Sequence, residues 1–292
     1  MTGFFLSFLC FMVGCNLAFN SCGKNPEEPE WVKNPENKPN EEPKDEPEDP
    51  ADDPVEVPSV SHYDGLEEVI IPAGLAQQIK EYTGFTVCFN KDNHTPNYVA
   101  WELLGTEVTN LVDRSDNFWQ DTEIEGCPAH RDYTGSGYDR GHMCPAADQK
   151  WSEEAMNDCF VMANMCPQDH QLNAGAWETL ESKERTWAKR DSAIMIIAGP
   201  IYEETDTKRL GSIGVRVPSS YFKALLAPYV DSPRAIAFVY PNSPAPGNMK
   251  DYAMTVDQLE EILGYDLFSA LPDDLENKIE SEFSFTEWNS SN

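Results

Sequence analysis

Between Gly23 and Pro58 nine prolines alternate with Glu, Asp, Asn and Lys, and the only large apolar side chains are Trp31, Val32, Val55 and Val57. Such a stretch buries too little surface to offset the entropy of ordering it. It is expected to run as an extended tether, rising roughly 3 Å per residue. Any core must therefore come from outside it, which leaves residues 59–292 for one large domain or two small ones. Apolar residues make up 40% of the chain, which excludes a wholly disordered protein. No internal repeat is visible.

The tether also distorts the charge. The whole chain carries 21 basic against 51 acidic residues, a net −30. Residues 23–58 hold four Lys against thirteen acids (−9), and residues 251–292 hold one Lys against eleven (−10), which leaves −11 over residues 59–250. A balance so acidic argues against a nonspecific polyanion binder and says little about the fold.

Ahead of the tether, Phe4 to Phe19 is a nearly unbroken apolar run, followed by Asn20, Ser21 and Cys22. The run is short for a spanning helix and matches an export signal. A small residue before a Cys, then a polar tether, resembles the lipobox of bacterial lipoproteins, which implies lipidation at Cys22. Cys15 after Gly14 is a second candidate, and an uncleaved N-terminal anchor is the alternative. The expected division is a signal over 1–22, a tether over 23–58 and a folded domain over 59–292. The expected location is outside the cytoplasm, anchored to the cell envelope through the lipid or secreted.

Processing at Cys22 would leave Cys88, Cys127, Cys144, Cys159 and Cys166 in the domain. With His130, His142 and His170 they invite a zinc reading, but only Cys127 to His130 has a zinc-type gap. Disulfides or buried thiols are the expectation. An exported chain can keep disulfides, and an odd count leaves one thiol unpaired.

The pattern is mixed α and β. Leu75–Tyr82 reads as a short amphipathic helix. Thr86–Asn90 and Tyr98–Leu104 read as a hairpin around an Asn/Asp/Pro turn. Glu153–Asp158 reads as a helix capped by Ser152, Cys159–Met165 as a buried strand, and Ala174–Arg190 as the longest helix. Ala193–Ala198, Tyr221–Ala227 and Ala235–Tyr240 are apolar strands, and Val256–Leu263 a helix. This order predicts a central sheet covered by helices.

The chemistry concentrates between Gly137 and Arg190. The run GYDRGHMCPAAD (137–148) sets Arg140 and His142 beside Gly141, which permits close approach of a bulky ligand. An unperturbed histidine titrates near working pH, so His142 is a candidate general base. A lone histidine is ordinarily structural; this one has company. In NMCPQDHQLNAGAWETLESKER (164–185), Asn173 opens the long helix and Glu181 follows eight residues on. An amide oxygen and a carboxylate acting through water suit Mg²⁺, a hard ion that keeps several waters. Asn173 could equally be an N-cap, and Glu181 with Arg185 an ordinary i,i+4 surface pair.

Asp139, Arg140, Gly141 and His142 form a DRGH box. Asn164, Pro167, Gln168, Asn173, Trp177, Leu180 and Glu181 form a second, and AGPIY, VPSSYFKALLA and FSALPDD follow downstream. Over roughly residues 75–282 the chain resembles the ββα-metal DNA/RNA non-specific endonucleases, the group of endonuclease G. The resemblance implies an α+β fold with a central, mainly antiparallel sheet flanked by helices. It implies His142 as the base that activates water and Asn173 as the direct ligand of one Mg²⁺, with Mn²⁺ an alternative ion. Glu181 would act through metal-bound water, Asn164 would position the His142 side, and Arg140 would contact phosphate. Arg114 and Arg185 would stabilise transition-state charge. The second finger strand would be Cys159–Met165, and Cys144 and Cys166 beside the site would allow a redox-sensitive link.

The implied substrates are DNA and RNA. Two rivals stand beside this: an inactive surface lipoprotein or binding module on the same fold, and a metal-dependent phosphodiesterase with a smaller substrate.

Overall fold

The computed structural model describes residues 64–290; the signal (1–22) with Cys22 and the tether (23–58) lie outside the described residues. Seven strands form one antiparallel sheet in the order β1 (Gln78–Tyr82), β2 (Phe85–Asn90), β3 (Thr95–Leu104), β6 (Ala193–Ile201), β9 (Ser220–Ala227), β10 (Arg234–Pro241) and β11 (Ala253–Met254). Two short pairs stand apart: β4 (Asp139–His142) with β5 (Met165–Gln168), and β7 (Arg209–Leu210) with β8 (Val215–Arg216). The helices are α1 (Glu153–Asp158), α2 (Glu178–Asp191), α3 (Val256–Leu263), α4 (Asp273–Glu280) and α5 (Phe285–Asn289). This is the α+β architecture expected, with a mainly antiparallel sheet between helices.

Both sheet faces are covered, which is why the central strands read as apolar runs and not as alternation. Val99, Trp101, Ile194, Ile196, Leu225 and Ile236 point to the face that packs α2 through Leu180 and Trp187. Their neighbours Ala100, Met195, Ile197, Leu226 and Ala237 point to the other face, against Val256 and Leu259 of α3 and Ile279 of α4.

Three expected elements differ. Leu75–Tyr82 is not a helix; Gln78–Tyr82 is an edge strand paired with β2 from Gln78↔Phe89 to Tyr82↔Phe85. Its apolar spacing fits a helix, but a pairing partner nearby in sequence decides otherwise. Cys159–Met165 is not one strand. A short 3₁₀ turn occupies Met162–Asn164, and the strand runs Met165–Gln168. The long helix is also divided. A wide π-type turn over Leu172–Trp177, kinked at Gly175 where the backbone leaves helical values, precedes α2.

All five cysteines of the domain are free and buried, so the thiol reading holds and the Cys144–Cys166 link is not formed. Burial pushes the Cys88 thiol up to about 11 and those of Cys127 and Cys159 to about 12, which leaves them inert.

Candidate active site

The β4–β5 pair and α2 make a ββα finger. Its register sets His142 opposite Met165 and Gly141 opposite Cys166. Gly141 is required here, because a Cβ at this position would lie 2.6 Å from Cβ of Gln168. The outer side of β5 is fixed to the main sheet: the Tyr221 hydroxyl donates to the Pro167 carbonyl at 2.6 Å, and Asn242 Nδ2 donates to the same oxygen at 3.0 Å.

Asn164 holds the turn between the strands. Its Oδ1 accepts from the Cys144 N–H at 2.9 Å, and its Nδ2 donates to the Cys144 and Cys159 carbonyls, each at 2.9 Å. The side chain is wholly buried and does not reach the site cavity. Its place is behind His142, as a clamp on the backbone that follows it.

An open cavity of about 300 Å³ is lined by Arg114, Arg140, His142, Asn173, Glu181 and Arg185, joined by Phe118 and Glu178. Six of the seven residues singled out from the sequence for catalysis or metal binding therefore meet there, and Asn164 alone stands outside it.

His142 is 8% exposed, and its Nε2 is buried without a partner. Phe118 and Phe160 enclose the ring at centroid distances of 5.8 and 4.8 Å. Phe118 is held there because the Trp119 N–H donates to the Phe160 carbonyl and the Trp119 carbonyl accepts from the Met162 N–H. Burial, then the charges of Arg114 and Arg140, pull the His142 pKa down to about 3. The imidazole is therefore neutral at working pH with a wide margin, and its ordinary value near neutrality does not apply.

The arginines are placed by different means. Arg114 and Arg140 lie over the Phe160 and Phe118 rings at 5.1 and 4.9 Å. Arg185 is anchored by Asp148, a fully buried carboxylate that accepts from Arg185 Nη1 at 2.9 Å and from Trp101 Nε1 at 3.2 Å. The expected surface pair of Arg185 with Glu181 is replaced by this buried one.

Asn173 is not the N-cap of the helix, since it lies inside the π-type turn. Its Nδ2 donates to Asp139 Oδ2 at 2.9 Å, and the same oxygen accepts from His170 Nδ1 at 2.8 Å. A carboxylate must face the amide nitrogen, so Oδ1 of Asn173 is left as an acceptor for something other than protein. Across the cavity Glu181 is largely buried, with Oε1 3.9 Å from Nζ of Lys223. Burial pushes its carboxyl up to about 8, against the pull of Lys223. A free amide oxygen and an under-neutralised carboxyl lining one cavity form an all-oxygen donor set that fits a hard divalent cation.

The sequence reading missed Asp139 as the holder of Asn173, Asp148 as the holder of Arg185, and the Phe118/Phe160 enclosure. It also missed Lys223, which is fully buried between Trp101 and Trp177 and donates to Glu184 at 2.8 Å. A lysine inside the apolar run YFKALLA was the available signal.

A sequence model described as DNA/RNA non-specific endonuclease matches residues 63–274. The mitochondrial nuclease EXOG of Xenopus laevis is 33% identical over 228 residues, covering 72% of this chain and 63% of that protein. A nuclease of Nostoc sp. is 33% identical, covering 68% and 76%. Human mitochondrial endonuclease G is 30% identical over 59% and 62%. The chain thus spans less than two thirds of the length of the frog relative. Among solved structures, the EndoG/EndoGI complex aligns with a TM-score of 0.63 at 26% identity, covering 67% of this chain and 87% of that one. With the family's sequence model matched over most of the folded region, and the two sequence boxes joined in one finger, this chain belongs to the DNA/RNA non-specific endonuclease family.

Proposed function

We propose that the protein is an exported, Mg²⁺-dependent endonuclease that hydrolyses phosphodiester bonds in DNA and RNA without sequence specificity. The observation that carries this reading is the single cavity lined together by a neutral histidine, three arginines and an asparagine whose amide oxygen is free.

His142 takes a proton from the attacking water through the part of its ring that lines the cavity. The depressed pKa keeps it unprotonated before substrate binds, and a phosphate drawn between Arg114 and Arg140 offsets the charges that depress it, which raises its basicity when needed. Arg140 and Arg114 meet the phosphoryl oxygens. Arg185, held rigid by Asp148, meets charge that develops in the transition state. Asn173 Oδ1 would hold Mg²⁺ directly and Glu181 through water, with Mn²⁺ suited to the same donors; the bound ion supplies further neutralisation at phosphate and help to the departing oxygen. The charged groups of the cavity suit phosphate and leave the base unread.

Digestion of plasmid DNA and of RNA, with Mg²⁺ and with chelator, tests the reading. Both polymers should be cut with Mg²⁺ and neither with chelator. His142→Ala should lose about 10²–10⁴-fold in rate. Parent-like cutting by that variant would remove the base assignment, and cutting in chelator would remove the role of Asn173. Activity confined to a small phosphodiester would favour the smaller-substrate rival, and none at all the binding module. Export and anchoring through Cys22 are tested by Cys22→Ser, which should move the protein out of the membrane fraction.

A further inference from the structure

A second group of carboxylates lies behind the sheet, on the face away from the catalytic cavity. Asp257 and Glu260 share one side of α3 at i and i+3, and Glu280 ends α4. One carboxylate oxygen from each lies within 4.8 Å of the other two. Glu280 is only 3% exposed, and its Oε1 is enclosed without any hydrogen-bond partner. Glu260 is oriented by the Leu267 N–H, which donates to its Oε1 at 2.6 Å. The other charged groups that bear on the cluster are Glu276 and Asp266, also acidic. Among the described residues no Lys or Arg pairs with any of these carboxylates.

A buried carboxylate aimed at two others, without a cation or donor, is a poor arrangement for stability alone. Burial and the neighbouring acids raise Glu260 to about 7 and Glu280 to about 9, the direction expected of carboxylates that lack a compensating cation.

We infer that Asp257, Glu260 and Glu280 form a divalent-cation site of the Ca²⁺ class, separate from the catalytic cavity, that ties α3 to α4. All donors are hard oxygens. Ca²⁺ holds such ligands at roughly 2.3–2.6 Å in flexible geometry, which suits carboxylates brought together from two helices, whereas Mg²⁺ demands a near-ideal octahedron at about 2.0–2.1 Å. Water completes the shell on the exposed Asp257 side. Three protein carboxylates place the affinity on the order of 10⁻⁴–10⁻³ M, the range of extracellular Ca²⁺ modules.

The test is Ca²⁺ titration of the full chain, by calorimetry and by thermal melts, in the parent, Asn173→Ala, Glu280→Gln and Asp257→Asn. Asn173→Ala removes the proposed catalytic ion ligand, so the two sites are read apart. Ca²⁺ should raise the melting temperature of the parent and of Asn173→Ala alike. Glu280→Gln should weaken Ca²⁺ binding at least tenfold and Asp257→Asn at least threefold, both with parent-like circular dichroism. Glu280→Gln keeps the side-chain shape and adds no charge to a buried position, and Asp257 is exposed, so folding is not at risk in the second variant. Parent-like Ca²⁺ affinity in both carboxylate variants would overturn the site. So would the absence of any Ca²⁺-dependent shift in Asn173→Ala.

Discussion

The enclosure that keeps His142 neutral also makes it a liability in acid. Unfolded, the imidazole titrates near 6.5; folded, it does so near 3, because burial and two arginines oppose its charge. Between those values the unfolded chain binds the extra proton, so stability rises with pH there. It is complete above 6.5 and lost as pH falls toward 3. At pH 5 the difference amounts to about 2 kcal/mol, at about 1.4 kcal/mol per pH unit. Urea unfolding at pH 7.5 and pH 5 should show the parent losing about 2 kcal/mol more than His142→Asn, which has no imidazole to protonate. Equal losses would mean that the ring is open to water. Asn173 depends on a neighbour in the same way: Asp139 fixes which end of its amide faces the cavity. Removing that partner in Asp139→Ala should raise the Mg²⁺ concentration for half-maximal cutting by about 10–100-fold while the rate at saturating Mg²⁺ changes less. An unchanged Mg²⁺ dependence would show that Asn173 orients itself.

At the scale of elements, what could be read in the sequence and what could not divide along the range of the forces involved. Five of the six cavity residues sit in two short runs, 137–148 and 164–185, with Arg114 upstream of both, and capping by Ser152 is a local signal that the structure keeps. The edge strand Gln78–Tyr82 turns on hairpin pairing with the adjacent β2, which the apolar spacing inside the segment does not show, while the split of Cys159–Gln168 into a turn and a strand depends on partners elsewhere, the Asn164 clamp and β4. The same holds for Asp148 and Lys223, whose partners lie 37 and 39 residues away on α2. Lys223 and Glu184 join β9 to α2 beside Glu181, and both are fully buried. Breaking such a pair costs more than the pair contributes, because one charge is left unpaired in low dielectric. Lys223→Met should therefore lower stability by about 3–5 kcal/mol, and Lys223→Met/Glu184→Leu should recover most of it. Denaturant melts decide the matter. A double variant as unstable as the single would mean that Lys223 acts mainly through the faces of Trp101 and Trp177 or through Glu181.

For the molecule as a whole, the sheet separates charges that the net value of −30 adds together. Nineteen of those thirty negative charges belong to residues 23–58 and 251–292 (9 + 10), and of the latter α3 and α4 pack on the face away from the cavity. The cavity itself holds three arginines against Glu178 and Glu181. Of the basic residues between Lys183 and Arg216, Arg190 is tied to Asp191 and to backbone carbonyls of Trp288 and Ser290, and Arg216 to carbonyls of Glu203 and Asp206, so neither is free to extend the cavity. A substrate backbone should therefore meet about three cationic side chains. Each phosphate neutralised on duplex DNA contributes a slope of about −0.9 to the log–log salt dependence of binding, so the slope should lie near −3. Measured as kcat/KM on duplex DNA from 50 to 300 mM monovalent salt at fixed Mg²⁺, it should stay shallower than about −4, and Arg114→Ala should reduce its magnitude by about 1. A steeper slope would require cationic contacts beyond the three cavity arginines, and the acidic body would then be irrelevant to how the nucleic acid is held.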